Sequence, residues 1–285
     1  MRTEPTVIAV IGMGAMGSSL AARLVRGGAR VVTTLHGRSP DAVARSEGAG
    51  VQAVAEDAVL QASMLLSVVP PAAAMDVAHH WSTRIAGSSK KPVFIDCNAV
   101  SVQTAGRIGQ LIESSGARFV DGCIIGMPGR ADEAGPTLYL AGELPQDLHT
   151  LCGYGLRSRS TQAPAGAASA LKMAYAGFNK GLTGLAAAMV LAATRAGAAD
   201  ALGVELAQSQ PHLLAHIRQT LPDMYAKAWR WDYEMQQVGE FAGADEDVAR
   251  LFQAMAAFFG RLGQDWSDRR ETADHIDAFL LRSGP

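Results

Sequence analysis

The run Val7-Ile8-Ala9-Val10-Ile11-Gly12-Met13-Gly14-Ala15-Met16-Gly17 decides the fold. Its first five residues are apolar and mostly β-branched, the pattern of a strand buried on both faces. The glycines at 12, 14 and 17 then fit G-x-G-x-x-G. In a chain with 30 glycines that spacing alone says little. Set between a strand and an amphipathic helix, it says much more. Gly12 permits a tight turn, Gly14 lets the backbone approach a pyrophosphate, and Gly17 allows helix and strand to pack closely. With Met13, Ala15 and Met16 between them, these residues form a candidate cofactor loop. The N–H groups and partial positive charge of the helix start would face the phosphates.

Outward from this loop, short apolar runs alternate with Ala-rich helical stretches. Arg30 to Thr34, Met64 to Val69, Val93 to Asp96, Arg118 to Asp121 and Thr137 to Ala141 read as strands. Segments 15–27, 72–86 and 102–115 have helical length and spacing. The alternation predicts an α/β Rossmann domain over 1–164, with a doubly wound, mostly parallel sheet. After Pro164 the texture changes. Residues 165–196 lack proline and are rich in Ala, Leu and Met, which suits one long helix. Segments near 200–220, 222–240, 245–262 and 269–282 are also helical, so 165–285 is expected to be all-α.

Composition narrows the function. Of 285 residues 48% are apolar and 18% charged, enough for a packed core and too few charges for disorder. Lys plus Arg number 25 against 27 Asp plus Glu, a net charge of −2, which argues against nucleic acid as a partner. Three scattered cysteines make neither a disulfide framework nor a zinc knuckle. No long uninterrupted apolar run and no signal-like start are present, so a cytoplasmic protein with no membrane partner and no metal is expected.

The end of the second strand points to the dinucleotide. An NAD site places Asp or Glu there to accept hydrogen bonds from the ribose 2′-hydroxyl. Thr34-Leu35-His36-Gly37-Arg38-Ser39 contains no carboxylate. Arg38 offers a charge-assisted contact to a 2′-phosphate and Ser39 a hydroxyl, so NADP(H) is the expected cofactor. Val68-Val69-Pro70-Pro71 ends another strand at the carboxyl edge, where such turns border the cofactor crevice.

Lys172, Ala176, Asn179 and Thr183 fall within about 40° of one another on a helix, with Tyr175 at the edge of the stripe. A polar seam on an otherwise apolar helix is unusual. A partly desolvated lysine can exchange a proton with a substrate near neutral pH.

These motifs together resemble the β-hydroxyacid dehydrogenase and 6-phosphogluconate dehydrogenase superfamily, which includes the imine reductases. I-G-M-G-A-M-G at 11–17 is similar to its glycine loop, and Gly166 through Lys172-Met173-Ala174-Tyr175-Ala176-Gly177 to Asn179-Lys180-Gly181 resembles its catalytic-lysine helix. Asp96-Cys97-Asn98-Ala99-Val100-Ser101 stands where the family has a substrate-side loop. Asp121-Gly122-Cys123-Ile124-Ile125-Gly126-Met127 stands where it has the substrate-anchoring D-x-P-V-S-G-G motif. The wording of residues 170–177 is most like a bacterial branch with a short C-terminal domain. The resemblance implies hydride transfer between nicotinamide C4 and a small C=O or CH–OH substrate, with Lys172 as general acid/base. It also implies that 165–196 is an interdomain helix, that 165–285 is the substrate and dimerisation domain through whose helices a homodimer forms, and that Asn98 hydrogen-bonds the substrate.

Departures bear on the substrate. The hydroxyacid enzymes carry Asn four residues after the lysine, and here Ala176 stands there. The decarboxylating sugar-phosphate enzymes carry His, Asn and Glu at +3, +4 and +7, where this chain has Tyr175, Ala176 and Asn179, which removes the acid needed for that chemistry. Ile125 and Met127 replace polar and small anchoring residues, pointing to a less acidic or more hydrophobic substrate. Trp231, within the aromatic stretch 224–235, reads either as core or as an apolar substrate wall. Imine reduction, with Tyr175 as donor, and non-catalytic NADPH binding are the competing functions. Cys97 and Cys123 have no adjacent His and read as packing residues; His79, His80 and the pair His212/His216 read as solvated or capping.

Overall fold

A computed structural model describes residues 6–129, 135–143 and 148–282. Two compact units, Met1–Lys172 and Met173–Pro285, divide the chain. The first runs β1 (Val7–Ile11), α1 (Ala15–Arg26), β2 (Arg30–Thr33), α2 (Pro40–Gly48), β3 (Gln52–Ala53), α3 (Glu56–Val59), β4 (Met64–Ser67), α4 (Ala74–Gly87), β5 (Val93–Asp96) and α5 (Val102–Ser114). It continues through β6 (Phe119–Ile125), β7 (Thr137–Ala141), α6 (Leu148–Gly153) and β8 (Arg157–Ser160) into α7 (Ala167–Arg195), within which the division falls.

The sheet order is β3-β2-β1-β4-β5-β6-β7-β8, parallel throughout except for the antiparallel β6–β7 pair. From β1 the chain builds outward to β3, then returns to place β4 on the other side of β1. That reversal makes β1/β4 the switch point where a crevice opens at the carboxyl ends of the strands. The two-residue period of the strands sorts the core. Ile8, Val10, Met64, Leu66, Val93 and Ile95 pack on one face with Leu20 and Leu24 of α1. Ala9, Ile11, Leu65 and Phe94 pack on the other with Trp81, Ile85, Ile108 and Ile112 of α4 and α5.

The second unit is helical: the remainder of α7, then α8 (Ala199–Ser209), α9 (Pro211–Tyr225), α10 (Ala228–Phe241), α11 (Glu246–Asp268) and α12 (Glu271–Arg282). Gly177, Gly181 and Gly184 lie on one face of α7, where α11 seats Phe252 and Met255; a Cβ on Gly184 would stand 2.2 Å from Met255 Sδ. Those glycines are thus packing positions. Two breaks differ from the sequence expectation. Gln210 and Pro211 interrupt the expected segment 200–220, and Pro222 sits inside α9 instead of opening the next helix, which forgoes one backbone bond.

Candidate active site

The glycine loop is built as its spacing requires. Gly12 adopts φ +100°, and a Cβ there would stand 2.2 Å from Val68 O. A Cβ on Gly17 would stand 1.9 Å from Gly12 O, whereas one on Gly14 would meet nothing within 4 Å. Gly14 is also the N-cap of α1 and supplies no side-chain cap, so the first amides of the helix have no side-chain acceptor. Met13 is buried and Met16 half-buried in the core below, while Ala15 is exposed. Backbone, not side chain, is what this loop presents, which fits a dinucleotide pyrophosphate.

At the end of β2, Gly37 takes φ +68° and Arg38 is exposed. Ser39 caps α2, its Oγ accepting from Ala42 N at 3.3 Å, which leaves the hydroxyl proton to donate elsewhere. Ile11, Thr34, Arg38, Ala73, Val77 and Trp81, together with the polar Glu56, Asp76 and His80, line a cavity of about 220 Å³ between the ends of β1 and β2 and the start of α4. Its place beside the β2 end suits the adenosine half of a dinucleotide. A larger cavity of about 690 Å³, lined by Phe119, Gly142 and Gln162, opens at the amino end of β6, the opposite edge of the sheet, and includes none of these groups.

Past β4, Val69 N donates to Asn98 Oδ1 at 2.7 Å. Asn98 Nδ2 donates to Ser67 Oγ at 3.0 Å and to Asp96 Oδ1. Asn98 is therefore a bracket between the ends of β4 and β5. At 2% exposure, with both amide hydrogens committed, it has no donor left for a substrate, unlike the role the resemblance implied. What it positions is the turn Val69-Pro70 beside the glycine loop.

Asp96 pairs with Asp121 across β5 and β6, and both are buried. Burial first, and then the neighbouring Asp121, push the Asp96 carboxyl up to about 8. Asp96 is thus the neutral member of the pair at pH 7. Asp121 is surrounded by donors: its Oδ2 accepts from Gly166 N (2.8 Å), Ala168 N (2.9 Å) and Ser169 N (3.2 Å), and its Oδ1 from Ser169 Oγ (2.6 Å). Expected to anchor substrate, Asp121 instead fixes the first turn of α7. Gly122 and Cys123 are buried behind it, and a Cβ on Gly122 would stand 2.8 Å from Asp96 O. Burial pushes the Cys123 thiol up to about 12 against the pull of Lys172, so no thiolate forms.

One turn past Ser169, Lys172 directs its Nζ to Ile124 O, 2.7 Å away, near the carboxyl end of β6. Ile125 is half-buried against Ala168 and Leu171; Met127, past Gly126 (φ +119°), is 68% exposed. Tyr175 is half-exposed, while Asn179 turns its amide back to Tyr175 O at 2.9 Å. Trp231 belongs to the core of the helical unit, edge-on to Phe259 with Lys180 Nζ 5.5 Å from its ring centroid, so the core reading of that aromatic stretch holds for it. Ser67, Asp96 and Ser169 were missed by sequence reasoning. Ser67 and Ser169 bond partners on other elements, which no local pattern records. Among the described residues, no three His, Cys, Asp or Glu side chains converge as a metal site requires.

Residues 7–149 match the family described as the NAD binding domain of 6-phosphogluconate dehydrogenase, half of the chain. The chain belongs to this family. Within the wider β-hydroxyacid dehydrogenase-like superfamily, residues 193–262 match a domain of unknown function, DUF1932. The mitochondrial 3-hydroxyisobutyrate dehydrogenase of Drosophila melanogaster is 26% identical over 136 residues, 47% of this chain and 41% of the fly protein. The match thus spans about two fifths of that relative's length. The 3-hydroxyisobutyrate dehydrogenase of Mycobacterium tuberculosis, solved with L-serine, shares the fold with a TM-score of 0.73 at 20% identity, over 96% of this chain and 99% of that one. An imine reductase of Bacillus cereus shares it at 0.57 and 15%, over 96% and 99%. The Rossmann-like unit of this superfamily member is therefore one that binds a nicotinamide dinucleotide.

Proposed function

We propose that this protein is an NADPH-dependent oxidoreductase acting on a C=O or CH–OH group, with Lys172 as general acid/base. The observation that carries the reading is the place of the Lys172 amine. It is held on Ile124 O near the carboxyl end of β6, on the edge where β1 presents the glycine loop and β4 the Val69-Pro70 turn. Three strand spacings, about 14 Å, separate β1 from β6, a span within the reach of an extended dinucleotide. Gly12 to Gly17 would hold the pyrophosphate, Arg38 and Ser39 the 2′-phosphate, and Val69 and Pro70 the crevice wall. Bound there, the dinucleotide supplies or accepts the hydride.

The chain's own part is the proton. Ile124 O takes one Nζ hydrogen and fixes the amine's direction, and among the described residues no other acceptor engages it. Nζ then gives a proton to a carbonyl oxygen during reduction, or takes one from a hydroxyl during oxidation. Ile125 and Met127, which follow Ile124 in the chain, favour a substrate with an apolar body over a small hydroxy acid. Tyr175, Phe178, Leu182, Leu185 and Met189 repeat at heptad spacing as an exposed apolar stripe on α7. That stripe supports a homodimer, which sedimentation at micromolar concentration would reveal as a doubled mass.

Lys172→Met should lower kcat by about a thousandfold or more while leaving NADPH affinity within about twofold. Undiminished kcat would overturn the assignment. Imine reduction is the second reading, favoured by the half-exposed Tyr175 phenol one turn from Lys172. In that case Tyr175→Phe removes turnover of cyclic imines, and ketones and hydroxy acids are not turned over.

A further inference from the structure

The glycine loop has a second attachment that the cofactor reading does not use. Arg45, on the second turn of α2, donates from Nε to Met13 O at 3.0 Å, joining α2 to the middle of the loop. That bond engages Nε alone. Among the described residues neither Nη meets a carboxylate, and the nearby acids Asp41 and Glu47 are exposed and form no ion pair with it. An arginine so placed is held at the glycine loop by Met13 O and keeps its cationic fork uncommitted.

We propose that Arg45 is a second specificity-determining residue for the phosphorylated dinucleotide, its Nη fork binding the 2′-phosphate together with Arg38. This rests on the NADPH reading above. The 2′-phosphate is favoured over the pyrophosphate by the element that carries the arginine. Pyrophosphate faces the start of α1. The ribose 2′ position is read at the carboxyl end of β2, and Arg38, Ser39 and Arg45 all stand on the β2–α2 connection and its helix. Two guanidinium groups suit a dianionic phosphate better than one, because each can take two of its oxygens.

The test is equilibrium titration of NADPH and NADH, followed by nicotinamide fluorescence, with competition by 2′,5′-ADP. It compares the wild type with Arg38→Gln and Arg45→Gln. Glutamine carries its amide nitrogen where arginine carries Nε, so Arg45→Gln keeps the donor for Met13 O and removes only the charged fork. Arg45→Gln is expected to weaken NADPH and 2′,5′-ADP by about tenfold or more and to leave NADH within about twofold. Equal weakening of both dinucleotides, or none of either, overturns the inference. A wild type that binds NADH as tightly as NADPH overturns the cofactor reading itself. A wild type that prefers NADPH beside an unaltered Arg45→Gln overturns only the role of Arg45.

Discussion

Two helix N-termini in the first unit meet the same physical demand in opposite ways. Every helix begins with amides that lack intrahelical acceptors and carry a partial positive charge. At α1 the demand is left open: the N-cap is Gly14, with no side-chain acceptor and free space where a Cβ would be. At α7 the chain fills it from within, for Asp121 accepts from three backbone amides and the Ser169 hydroxyl. An anion belongs at both ends. Where the chain supplies it, the helix is fixed, and with it Lys172 one turn on. Where the chain withholds it, a ligand's phosphate can take the place.

The strongest way to break this contrast is to empty the filled terminus. Asp121→Ala leaves three buried donors and one half-buried donor without an acceptor and should destabilise the protein by about 3–5 kcal/mol in urea unfolding. Asp121→Asn keeps an acceptor without the charge and should cost less. In that folded variant kcat should fall more than NADPH affinity, because the lysine loses its fixed helix start while the glycine loop is untouched. Equal losses in both would mean that Asp121 holds up the whole unit and does not act through α7. The converse change sharpens the contrast. Gly14→Ala adds a methyl group that the protein itself does not meet, so stability should move by less than about 0.5 kcal/mol, while dinucleotide affinity should drop about tenfold as that methyl group meets the pyrophosphate. Unchanged affinity would remove the loop from the binding site.

The open terminus was legible in the sequence because everything it needs is local: a strand, three spaced glycines and a helix within eleven residues or so. The filled terminus was not. Asp121 and Gly166 lie 45 residues apart in the chain, and the motif containing Asp121 reads equally well as a substrate loop. Asn98 misled in the same way, since its partners Ser67 and Val69 come from a neighbouring strand and its turn. Elements with little to bury were also invisible. β8 is Arg157-Ser158-Arg159-Ser160, mostly exposed, and β3 is two exposed residues. Such edge strands exist because a neighbour offers backbone partners, a cause that no hydrophobic period records.

A pH-dependent effect concerns the charge at the filled terminus. Asp96 and Asp121 stand opposite each other in register, yet the helix start needs one anion. With Asp96 raised from 3.8 to about 8, the folded protein keeps a proton that the unfolded chain has released above about pH 4. The folded state then binds more protons than the unfolded state, so this group makes stability fall as pH rises through that window and level off above 8. Asp96→Asn retains an acceptor for Asn98 and cannot titrate. The melting temperature of the variant relative to wild type should therefore climb from pH 5 to pH 8. A flat difference would mean that Asp96 is ionised in the folded protein. Asp96 would then add a second negative charge beside the start of the helix that carries Lys172.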